Sequence, residues 1–104
     1  MCDPSLLDLS PRHLAIVQGI LRRRIPGREV RVFGSRARHT AGERSDLDLV
    51  ILGDHPLPLG VFADLQDDFS ASDLPFKVDI VEWSDMTESF RAVVARGWLA
   101  LPEG

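Results

Sequence analysis

The stretch Leu47-Asp48-Leu49-Val50-Ile51-Leu52 constrains the fold of this chain more than any other. A short, branched, apolar run bounded by polar residues reads as a strand buried in a sheet. Asp46 stands immediately before it and Asp48 within it, so the strand opens on charge. A second run, Phe76 to Glu82, has the same character and carries Asp79 between Val78 and Ile80. Glu29 to Phe33 alternates charged and apolar residues, the two-residue period of a strand. Trp98 to Leu101 is short and apolar and predicts a last strand.

Helical patterns fall between these runs. Ser10-Pro11 suits a helix start, because serine caps free N–H groups and proline fits the first turn. Leu14, Val17 and Leu21, flanked by Ile16 and Ile20, give an apolar stripe through about Arg24. The three arginines that end it suit the negative pole of the helix dipole, and Pro26-Gly27 stops it. Arg36-Ala37-Arg38 begins a short helix after the Gly34-Ser35 break. Phe62, Leu65 and Phe69 are spaced for an amphipathic helix. Asp85 with Glu88 predicts a capping box ahead of a helix lined by Phe90, Val93 and Val94, with Gly97 closing it. Helices that alternate with strands predict an α/β (α+β) architecture, a mixed sheet of about four strands packed with helices. The length predicts a single domain over residues 1–104, with residues 1–9 a loose lead-in.

The net charge of −4 argues against a broad nucleic-acid-binding surface, which needs a basic face. The charge is uneven, however. Arg22, Arg23, Arg24, Arg28, Arg31, Arg36, Arg38 and Arg44 all precede the first carboxylate pair, and Asp64, Asp67, Asp68 and Asp73 follow it. A locally basic pocket for phosphates fits that pattern; so does a solvated, salt-bridged surface. No apolar run is long enough to span a membrane. No cationic start with an apolar stretch suggests a signal peptide. The single cysteine, Cys2, rules out an internal disulfide. These features predict a cytoplasmic protein.

Asp46 and Asp48 carry the first chemical signal. Side chains two apart on a strand share a face, so both carboxylates point to one side, about 7 Å apart along the chain. Carboxylates that close raise one another's pKa unless a cation lies between them. Hard divalent ions such as Mg²⁺ prefer such oxygen donors. A pair of surface aspartates at a strand end has the same spelling. Asp79 shifts the balance, since a lone carboxylate in a buried run is costly unless paired or metal-bound; an exposed aspartate on a half-buried strand is the other reading. On a neighbouring strand it would reach the pair and could take a proton from an attacking hydroxyl. Lys77, on the same strand face, would touch a phosphate or remain solvated. Gly34-Ser35 adds an anion-binding turn: glycine permits close backbone approach, and free N–H groups at a helix start face an anion. Serine adds a hydroxyl donor, and Arg36 and Arg38 add positive charge. A plain strand-to-helix turn would read the same.

Gly34-Ser35, ten intervening residues, then Asp46-Leu47-Asp48-Leu49 matches the GSx10DxD signature of the DNA polymerase β-like nucleotidyltransferases. The stretch GSRAR…TA…SDLDLVI resembles their minimal nucleotidyltransferase (MNT) group most closely. Val78-Asp79-Ile80-Val81 resembles that family's third-aspartate strand, and Phe90-Arg91…Gly97-Trp98-Leu99 its closing helix and strand. The likeness spans roughly residues 12–102. It departs in the loop, where His39 replaces the usual glycine and Gly42 the usual basic residue.

The resemblance implies a nucleotidyltransferase palm. It implies that Asp46 and Asp48 hold Mg²⁺, as two ions with Mn²⁺ able to substitute. Asp79 then helps bind the catalytic metal and activates the acceptor hydroxyl, while Gly34 and Ser35 hold the β,γ-phosphates of ATP or another NTP. The reaction implied is in-line attack on the α-phosphorus with release of pyrophosphate. It further implies a small helical HEPN-domain partner and an antitoxin that moves AMP to a tyrosine of that partner. This chain contains no tyrosine, so a tyrosine acceptor lies on another protein. Two other readings remain at this point. One is a catalytically weak or inactive binding module that neutralises a HEPN-type partner by contact. The other is a nuclease using the same acidic cluster, against which the acidic net charge counts.

Overall fold

The structure, a computed structural model, describes residues 9–34 and 46–101. Helix α1 spans Pro11–Arg24. Ser10 caps it: its hydroxyl accepts the His13 N–H at 3.2 Å. Leu14, Val17, Ile20 and Leu21 form its buried stripe. Past Ile25 and Pro26 the backbone turns at Gly27, φ +82°. Strands β1 (Val30–Phe33) and β2 (Leu47–Ile51) follow. Then come helix α2 (Leu59–Ser70), strand β3 (Val78–Glu82), a 3-10 turn over Trp83–Asp85, helix α3 (Glu88–Ala95) and strand β4 (Leu99–Ala100).

The four strands form one mixed sheet in the order β3-β2-β1-β4. β1 runs antiparallel to β2 and to β4, whereas β2 and β3 are parallel. A parallel pair needs a crossover long enough to return the chain, and α2 supplies it. Alternation then sorts the side chains by face. Val30, Val32, Leu47, Leu49, Ile51 and Ile80 point to one side and join the stripes of α1 and α2, including Leu65 and Phe69, in the main core. Asp48, Asp79, Arg31 and Phe33 lie on the opposite face. Arg24 locks α1 to α2, its Nε donating to Asp68 Oδ2 at 2.6 Å while Arg23 Nη2 donates to the same oxygen at 3.2 Å. The hydrogen bond from Arg24 is the main cause that holds the Asp68 carboxyl below its ordinary range. Arg28 donates to the carbonyls of Leu52 and His55. Arg23, Arg24 and Arg28 are thus engaged in holding the fold.

The far end of the second face is roofed by aromatic and cationic groups. Trp83 and Trp98 lie with ring centroids 5.2 Å apart. Arg31 stacks over Trp98 at 4.4 Å, and Arg91 sits 4.9 Å above Trp83 while donating to its carbonyl. Both tryptophans are half-buried.

The expected capping box at Asp85 and Glu88 is not the one formed. Asp85 belongs to the 3-10 turn, and Thr87 caps α3 by accepting the Phe90 N–H at 3.2 Å. The turn consumes the residues that would have led into an earlier helix start. Thr87→Ala should therefore destabilise the protein by about 1 kcal/mol, lowering Tm by about 4–8 °C. Asp85→Ala should move Tm far less in the same calorimetric melts.

Candidate active site

Strand register assembles the site. Phe33 is opposite Asp48 on β1 and β2, and Asp48 is opposite Asp79 on β2 and β3. Phe33, Asp48 and Asp79 thus form one row across three strands, all on the face away from the main core. The two aspartates, distant in sequence, become nearest neighbours across a parallel pair. Asp46 immediately precedes β2 and is exposed.

Gly34 sits beside this row. Its φ is +77°, a left-handed conformation that L side chains rarely adopt. A Cβ placed there would collide with Asp48 Oδ2. The missing side chain therefore clears space for the Asp48 carboxylate, a role invisible in the dipeptide Gly34-Ser35 itself. Ser35, Arg36 and Arg38, with the short helix expected there, lie outside the described residues, as do His39 and Gly42 of the loop.

The electrostatics of the row are unbalanced. Partial burial pushes the Asp48 carboxyl above its ordinary range, and the charges of Asp79 and Asp46 push it further. Asp79 was expected in a buried run. It is instead half exposed, its side chain 41% accessible, because β3 is an outer strand of the sheet. Lys77 Nζ lies 3.4 Å from Asp79 Oδ1 and is itself 73% exposed. The alternation that put Lys77 on the Asp79 face thus yields an ion pair. Among the described residues, no three acidic, histidine or cysteine side chains converge closely enough to form a metal-holding group.

Two features escaped sequence reasoning. One is the close approach of Gly34 to Asp48, which depends on how β1 and β2 pair. The other is Glu82, whose Oε1 accepts the Leu57 N–H at 2.6 Å and pins the loop between β2 and α2. No local signal announces either, since each joins segments far apart in the chain.

A sheet that pairs carboxylates across its parallel strands, beside a glycine turn, defines a class when taken with comparison to known proteins. The profile of the nucleotidyltransferase domain matches residues 14–97. The chain belongs to the nucleotidyltransferase-domain family. It is 38% identical over 97 residues to a probable protein adenylyltransferase MntA of Haemophilus influenzae, covering 93% of this chain and 85% of that protein. Among solved structures it resembles the crystal structure of a toxin–antitoxin complex with AMP-PNP. The TM-score is 0.70 at 24% identity, covering 88% of this chain and 73% of that one. It also resembles the structure of a tri-AMPylated Shewanella oneidensis HEPN toxin in complex with MNT antitoxin. There the TM-score is 0.60 at 22% identity, with the same coverage. At those identities the structural likeness establishes a shared fold. Among the described residues no helix is long and apolar enough to cross a membrane.

Proposed function

We propose that this protein is a metal-dependent nucleotidyltransferase that moves AMP from ATP to a hydroxyl on a HEPN-type partner protein, as the antitoxin of a toxin–antitoxin pair in the cytoplasm. The observation that carries this reading is the Asp48–Asp79 pairing across β2 and β3, with Gly34 cleared against it. The MntA relative, a probable protein adenylyltransferase, and the HEPN toxin held in one of the similar structures support this reading of substrate class and partner.

The donor set suits a hard divalent cation through the chemistry of its oxygens rather than as a ready-made cluster, since the three carboxylates do not converge as one group. Its oxygens are carboxylates; burial pushes the Asp48 carboxyl above its ordinary range, and the charges of Asp79 and Asp46 push it further. That is the strain a cation between like charges relieves. Asp46, Asp48 and Asp79 would hold Mg²⁺, as two ions, with Mn²⁺ able to replace it. Bound there, the metal supplies charge neutralisation for the triphosphate and polarises the α-phosphorus. The Gly34 backbone and the Ser35 hydroxyl bind the β,γ-phosphates, with Arg36 and Arg38 adding positive charge. Asp79 accepts the acceptor hydroxyl's proton on its carboxylate. An acceptor O–P bond forms as the bond from the α-phosphorus to the bridging oxygen breaks, and pyrophosphate leaves with that oxygen.

The test is intact mass of the HEPN partner after incubation with this protein, Mg²⁺ and each NTP in turn. A gain of one or more AMP units with ATP, absent for Asp46→Asn, is the expected result. A stable complex without mass gain from any NTP would replace this reading with a binding module that neutralises by contact.

A further inference from the structure

β3 is an outer strand, and among the described residues nothing pairs with its free edge. An unpaired edge presents a row of backbone N–H and C=O groups that another strand can join. A groove of about 450 Å³ touches Ile80, Val81 and Glu82, three consecutive residues of that strand. Their side chains alternate between faces, so a groove that meets all three follows the edge rather than either face. Phe62 of α2 forms part of its wall, as do Asp85 and Phe90. Phe90 is 44% exposed, unusual for a phenylalanine in a chain with a well-filled core.

The charges at this groove have one sign. Its lining includes Glu82 and Asp85 and no lysine or arginine. Glu82 Oε1 accepts the Leu57 N–H. The groove also begins one residue after Asp79, and strand geometry puts Val81 about 7 Å from it. A segment lying along Ile80 to Glu82 would therefore run directly past the candidate active site.

We propose that the free edge of β3 is the docking site for the acceptor protein. The occupant is an extended segment that adds to the sheet as a further strand. It places an apolar side chain between Phe62 and Phe90, and carries arginine or lysine beside that anchor to meet Glu82 and Asp85. Its assignment to the acceptor rests on reading Asp48 and Asp79 as the transfer centre; the groove itself does not. Backbone pairing gives affinity and the apolar pocket gives selection, the two components of strand addition. Docking here sets acceptor choice by local sequence around the hydroxyl, independently of nucleotide binding.

The experiment is an NMR titration of the full chain with a short strand-forming peptide that carries a leucine flanked by arginines. The control peptide has glutamates in their place. The basic peptide is expected to shift the amides of Ile80, Val81, Glu82 and Phe90 and to bind at least about 10-fold more tightly than the acidic one. Phe90→Ser and Asp85→Lys, both at exposed positions, should each weaken it several-fold without changing the rest of the spectrum. Equal binding of both peptides, shifts elsewhere on the surface, or no shifts at millimolar peptide would overturn the proposal. MgATP added to the same samples reads the other site through the amides of Gly34 and Asp48. Shifts from MgATP with none from the peptide overturn the groove alone. Peptide shifts at β3 without any response to MgATP support the groove and remove the active-site reading.

Discussion

Asp48→Asn should lower the rate of AMP transfer by about 10³-fold or more while leaving the metal-free protein at least as stable as before. The two halves of this expectation have one cause. Asp48 lies between Asp46 in sequence and Asp79 across the sheet, and its ionised form is disfavoured by burial first and by those two charges next. Asparagine keeps the shape and removes the charge. Transfer is lost because a neutral amide is a poor ligand for a hard cation. Stability is kept because like-charge repulsion is relieved, worth an increase in Tm of about 2–4 °C if the gain is ~0.5 kcal/mol.

The sign of the pH dependence follows from the raised folded-state pKa. The protonated Asp48 carboxyl favours the folded state. Its contribution is fully present below the ordinary value of 3.8 and is lost as pH rises through the higher folded value. In chelator, the wild type should therefore lose stability relative to Asp48→Asn as pH rises from that value, and the gap should then stay constant. Melts of both proteins from about pH 3.5 to about pH 7 measure it. A clear fall in Tm for Asp48→Asn in chelator would make Asp48 a structural residue and move the site elsewhere.

Gly34→Ala should lower activity by about 100-fold and Tm by about 5–10 °C. Two effects combine at this position. A left-handed backbone costs an L-residue about 1–2 kcal/mol, and the new Cβ collides with Asp48 Oδ2. Only the second reaches the active site. Gly27 separates them, since its φ is +82° and nothing lies within 4 Å of where its Cβ would stand. Gly27→Ala should show a similar loss in Tm with unchanged transfer per folded molecule. Kinetics of both variants, with circular dichroism melts, test the contrast. Equal activity in the two would mean that Asp48 accommodates the methyl group and that its position is not tightly held. In Asp48→Asn the Gly34→Ala change should have little left to remove from activity, because both act through the same carboxylate.

How much of this was legible beforehand depends on the range of the interactions involved. The capped start of α1, the apolar stripes of α1 and α2 and all four strands were readable as local patterns. Hydrophobic period, capping and turn residues act within a few positions of one another. The place of Asp48 within β2 was readable for the same reason, because alternation along one strand is a local property; Asp46, expected to share that strand, lies just before it. The start of α3 was misread because Asp85 and Thr87 are both acceptable caps. The choice between them turned on the 3-10 turn that uses Trp83–Asp85.

Asp79 shows where local reading stops. Its presence on a strand and its reach toward the Asp46/Asp48 pair were evident, but its degree of exposure and the residue set directly opposite it were not. Both follow from β3 taking the outer place in the sheet and pairing parallel to β2 in the register that sets Asp79 against Asp48. The clearance between Gly34 and Asp48, the engagement of Arg24 by Asp68 and the groove along β3 have the same origin. Each joins segments whose separation along the chain is bridged by strand pairing or helix packing. Residue patterns within a segment state which face is apolar and where charge begins. They do not state which neighbour arrives beside that face, because order and register are set by the burial of all the segments together.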